Sequence, residues 1–122
     1  MARRDITGAV DFAYLEGYAG GDAGLIDEVL GLFREQAQVW MRLLDPAAPG
    51  GAWRDAAHSL KGSALAVGAR DLAQACAAAE TAEVAAMEDR LVLLNRIRDA
   101  LDLVLADIAA YVHEQALRSL KS

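Results

Sequence analysis

His58, Lys61 and Gly62 place an imidazole, an ammonium and a bare stretch of backbone within one helical turn of each other. An imidazole is both a nucleophile and a proton carrier near neutral pH, so its surroundings decide whether it does chemistry. Between residues 52 and 67, Trp53, Ala57, Leu60, Ala64 and Val67 repeat at about 100° per residue, and that face must turn inward. His58 projects about 140° from the centre of this stripe, toward water. Arg54, Lys61, Gly62 and Leu65 share its outer face. A glycine inside a helix costs about 0.8–1.0 kcal/mol relative to alanine. This chain uses alanine freely elsewhere, so Gly62 is explained best by a large body that must approach the imidazole. Leu65 adds an apolar rim one turn further on. His113, at the flank of a later stripe with no glycine or basic group beside it, reads as an ordinary solvated histidine.

The elements that would carry these residues are helices. Alanine is abundant, while Val, Ile and Thr are few, a balance that favours helix over sheet. Residues 9–19 carry Val10, Phe12, Tyr14 and Leu15 and end at Gly20-Gly21, with Asp22 suited to cap a second helix. That second helix shows Leu25, Ile26, Val29, Leu32, Phe33, Trp40 and Leu44 on one broad stripe. Asp45-Pro46 through Pro49-Gly50-Gly51 is a turn. Further helices are expected over 52–67, over 70 to about 86, and over 87–117. The last carries Leu91, Leu94, Ile97, Leu101, Val104, Leu105, Ile108 and Val112 on one stripe. The expected fold is all-α: an up-down-up-down four-helix bundle with a short additional N-terminal helix, forming one domain over residues 1–122.

Composition narrows the function. A net charge of -6 argues against a nucleic-acid partner. One cysteine excludes an internal disulfide framework. No apolar run is long enough to span a membrane, and Met1-Ala2-Arg3-Arg4 is followed by polar residues instead of a signal-peptide core, so a cytoplasmic location is expected.

His58-Ser59-Leu60-Lys61-Gly62-Ser63-Ala64, followed by Gly68-Ala69 and Leu72, resembles the signature of histidine-containing phosphotransfer (HPt) domains of bacterial phosphorelays. The likeness extends over roughly residues 10–115, with the Gly21-Asp22 turn, the Leu25 to Phe33 helix and the Cys76 to Glu80 segment in comparable places. It implies that His58 attacks a phosphoryl group with its outer ring nitrogen and holds it as a labile phosphoramidate. It also implies that Lys61 offers its charge to the phosphoryl oxygens and that Gly62 clears the way for a partner's loops. Ser63, on the flank of the helix, is expected only to support. Arg54 and Leu65 are expected to touch the partner.

Glu80 is placed by hairpin geometry. If the helices either side of Gly68-Ala69 are antiparallel, positions whose numbers total about 138 face one another, which sets Glu80 level with His58. A carboxylate there can accept from the inner ring N–H and leave the outer nitrogen free. HPt domains often carry Gln or Glu near this position.

The chain has no phosphate-binding glycine loop and no kinase signature. It reads as a phosphoryl carrier without kinase activity of its own, relaying phosphate between receiver-domain aspartates. Its expected partners are response-regulator receivers and a hybrid histidine kinase. No cofactor is expected in the chain, magnesium coming from the receiver, and the protein is expected to be a monomer. Two other readings use the same residues: the dimerisation and phosphotransfer domain of a histidine kinase, which would be an obligate dimer, and a helical receiver-binding adaptor without chemistry.

Overall fold

A computed structural model describes residues 7–82 and 86–121. They form five helices: α1 (Phe12–Tyr18), α2 (Ala23–Leu43), α3 (Gly50–Ala66), α4 (Arg70–Thr81) and α5 (Met87–Lys121). Helices α2 to α5 pack in sequence as an antiparallel bundle, with the α3–α4 pair the most intimate and the α2–α5 seam the loosest. Among the described residues there is no strand, and no helix is long and apolar enough to cross a membrane.

Local chemistry sets the helix ends. Asp22 caps α2 by accepting from the Leu25 amide at 3.1 Å, and Asp11 caps α1 by accepting from Tyr14 at 3.0 Å. Helix α3 begins at Gly50, inside the stretch expected to be a turn. Pro49 stands at the N-cap, and its carbonyl accepts the first helical bond from Trp53. The glycines are therefore its first turn. Helix α4 stops at Thr81, short of the expected 86, with the Thr81 hydroxyl bonded back to the Ala78 carbonyl. Residues 83–85 lie outside the described ones. Helix α5 continues four residues past the expected 117.

The turn that aligns α3 with α4 rests on Gly68. Its φ of +72° is one that other residues rarely adopt, and a Cβ there would lie 3.1 Å from the Cβ of Asp11. The Asp11 amide also donates to the Gly68 carbonyl, so α1 is pinned onto this end of the bundle. Phe12 stacks on Tyr111 with ring centroids 4.2 Å apart, and the Tyr111 hydroxyl bonds Glu16.

The core follows the α3 stripe as expected: Trp53, Ala57, Leu60, Ala64 and Val67 are all buried. Elsewhere the stripes shift. On α2 the buried line is Ile26, Leu30, Phe33 and Ala37, while Leu25 and Leu32 lie on an exposed flank. On α5 it is Leu94, Ile97, Leu101, Val104, Ile108 and Tyr111. Leu91 is exposed because Arg90 takes the inward position, its guanidinium 5.3 Å from the Trp53 ring centroid and bonded to the carbonyls of Pro46 and Ala48. Leu105 and Val112 are half-buried. Alanines along α4 (Ala73, Ala75 and Ala79) let it sit close to its neighbours.

Candidate functional site

His58 lies on the outer face of α3, with its side chain 69% exposed. The neighbouring α4 holds Glu80 level with it. His58 Nδ1 is 2.7 Å from Glu80 Oε2, and Lys61 Nζ is 3.0 Å from Glu80 Oε1. One carboxylate therefore serves both donors. An ionised carboxylate can only accept, so Nδ1 carries the proton and donates, and the lone pair sits on Nε2. The arrangement leaves the unprotonated nitrogen on the side away from Glu80.

The electrostatics reinforce that assignment. The Lys61 hydrogen bond, and then that of His58, hold the Glu80 carboxyl below its ordinary value of 4.5. A depressed carboxyl pKa adds stability that is complete above the ordinary value and fades as pH falls through the lowered one. Lys61→Met should accordingly raise the Glu80 midpoint toward 4.5. A carbon-detected NMR titration of the Glu80 carboxyl reads it, and an unmoved midpoint would show that Lys61 is not the main cause.

Beneath this group lies Cys76, one turn before Glu80 on α4. Burial first, and the Glu80 charge second, push its thiol up to about 12, so it stays protonated and unreactive at neutral pH.

The other expected residues separate into two groups. Gly62 is exposed, its φ is unexceptional, and a Cβ there would meet nothing within 4 Å. Nothing inside the fold requires a glycine at that position. Leu65 is 52% exposed on the same face. Arg54, at the far edge of that face, pairs with Asp55 at 3.6 Å. Ser63 turns toward α2 instead: its hydroxyl lies 3.0 Å from Gln36 Oε1 and 3.2 Å from the Ser59 carbonyl. It is not brought together with His58, Lys61 and Glu80. His113 is exposed on α5, outside this cluster.

Beyond Glu80, sequence reasoning passed over the α4 side of the site. Lys61 and Leu65 line a shallow depression of about 330 Å³ with Arg70, Ala73, Gln74 and Ala77. The pairing rule that placed Glu80 opposite His58 also sets Ala77 opposite Lys61 and Ala73 opposite Leu65. The signal was present in the same arithmetic.

The Hpt domain family model matches residues 26–110. Among solved structures the chain is similar to the histidine phosphotransferase ShpA from Caulobacter crescentus, with 54% sequence identity and a TM-score of 0.75. That likeness covers 93% of this chain and 99% of the other. No curated protein sequence matches.

Proposed function

Because this chain belongs to the Hpt domain family, we propose that His58 is its phosphoryl carrier within a phosphorelay. The observation that carries the reading is the exposed imidazole held through Nδ1, 2.7 Å from a carboxylate that Lys61 also engages. The chain is a histidine phosphotransfer protein, and this site supplies the chemistry such a protein needs. The Nε2 lone pair attacks the phosphorus of a receiver's aspartyl phosphate. The P–O bond to that aspartate breaks, the carboxylate leaves with the bonding pair, and the phosphoryl group rests on Nε2. Reversal onto a second receiver completes the relay. Glu80 fixes the tautomer and supports positive charge on the ring. Lys61, on the same face, offers its ammonium to the phosphoryl oxygens.

The partners in this reading are receiver domains and a hybrid histidine kinase, with magnesium brought by the receiver. They dock around His58, with Leu65 as the apolar contact and Arg54 at the edge. The protein acts as a cytoplasmic monomer, its 122 residues forming one domain. Incubating it with a phosphorylated receiver should move acid-labile phosphate to the peptide containing His58, and a second receiver should remove it. Phosphate found on any other residue, or none transferred by any receiver of the host, rejects the assignment.

Gly62 tests the docking half of this reading separately. Gly62→Gln should raise helix stability by about 0.5 kcal/mol, since glycine is the poorer helix former. The added side chain stands one turn from the imidazole, where a displacement of about 1 Å in the approaching phosphorus slows transfer about 10²-fold. Stopped-time transfer assays and thermal melts on the same preparation measure both. A normal rate would remove partner access as the reason for this glycine.

A further inference from the structure

The α2–α5 seam, the loosest in the bundle, holds a groove of about 510 Å³. Its floor is apolar: Ala37 and Leu101 are buried, and Met41 and Leu105 are half-buried. Arg34 and Arg42 are exposed at its rim. Eight residues apart on one helix, they stand about 12 Å from each other along the groove. Neither guanidinium makes an ion pair or hydrogen bond among the described residues. Arg42 lies in the last turn of α2, where a cation suits the helix end. Arg34, in mid-helix, has no such role. Two uncompensated cations flanking an apolar floor are notable in a chain of net charge -6.

We propose that this groove receives an acidic amphipathic helix of a partner protein. A helix laid between α2 and α5 would place its apolar stripe on the four floor residues. Carboxylates spaced seven or eight residues apart along it span about 10–12 Å, the separation of the two arginines. That repeat distinguishes a helix from a single lipid or fatty-acid headgroup, which carries its charge at one end only. The groove also lies away from the transfer site. His58 is on α3, which packs against α2 and α4, whereas the groove is closed by α5. Occupying it leaves the His58 face open, so the two partners bind together.

The test uses the full chain and a fluorescein-labelled amphipathic peptide, with leucines on one face and glutamates spaced as Arg34 and Arg42 are. A control peptide carries lysines in place of the glutamates. The acidic peptide should bind saturably and weaken as salt rises. It should lose affinity by about tenfold with Arg34→Glu or with the double Arg34→Gln/Arg42→Gln variant. Amide resonances of Ala37, Met41, Leu101 and Leu105 should shift, and transfer to His58 should be unchanged with the peptide bound. Circular dichroism verifies that the variants are folded. Equal binding of the lysine peptide, full affinity of the arginine variants, or shifts gathered around His58 would each overturn the proposal. So would vesicles of phosphatidylglycerol that shift these resonances while the acidic peptide does not, since the groove would then face a lipid surface.

Discussion

Replacing His58 by alanine or glutamine should abolish phosphoryl acceptance while leaving the bundle folded. The side chain is mostly exposed, and its hydrogen bond to Glu80 ties it to the fold. Losing an exposed pair of that kind changes stability by about 1 kcal/mol or less. Transfer, by contrast, has no substitute group nearby. Lys61 is a cation bonded to Glu80, and Cys76 is a buried thiol with its pKa pushed up to about 12. Ser63 faces α2. Neither alanine nor the glutamine amide offers an unprotonated ring nitrogen, so the glutamine variant separates hydrogen bonding from nucleophilicity. Label transfer from a phosphorylated receiver, read beside melting curves, measures both effects. Acid-labile phosphate retained by His58→Ala would transfer the role to His113.

The part of this site that depends on helical repeat was legible in the sequence, because a packed stripe and an exposed face are two consequences of one period. Trp53, Ala57, Leu60, Ala64 and Val67 define the inner face of α3, and His58 with Leu65 is thereby placed outside. Glu80 needed one further step, the tight turn at Gly68, whose positive φ keeps α3 and α4 antiparallel and in register. What the sequence did not reveal were polar residues buried by distant partners. Arg90 displaces Leu91 from the interior only because the carbonyls of Pro46 and Ala48 meet its guanidinium. Asp107 is wholly buried on α5 because the amides of Thr7 and Val10 donate to its carboxylate from the other end of the chain. No local pattern encodes either contact. Leu25 and Leu32 err in the opposite direction: they are apolar, but they lie one residue before the buried line of α2, on its exposed flank. Periodicity locates the centre of a stripe well and its edges poorly.

Trp53→Ala should be the most destabilising single change near the site, by about 3–5 kcal/mol. Trp53 is fully buried, so truncation loses its transfer free energy and leaves a cavity that a well-packed bundle fills only in part. Two further contacts fail with it. Its Nε1 donates to the Ala79 carbonyl at 2.8 Å, and its ring carries the Arg90 guanidinium. Trp53→Phe keeps most of the volume and removes the N–H, so it should lose less, about 1–2 kcal/mol. The smaller change is the more informative about function. Ala79 immediately precedes Glu80, so the indole hydrogen bond ties α3 to α4 beside the carboxylate that holds His58 Nδ1. Trp53→Phe should therefore slow phosphoryl acceptance at temperatures where the protein is still fully folded. Urea melts give the stability of both variants, and transfer rates well below the melting transition give the positioning effect. A loss under 1 kcal/mol in Trp53→Ala would mean that the bundle closes over the gap. A wild-type rate in Trp53→Phe would mean that Glu80 keeps its place without the indole.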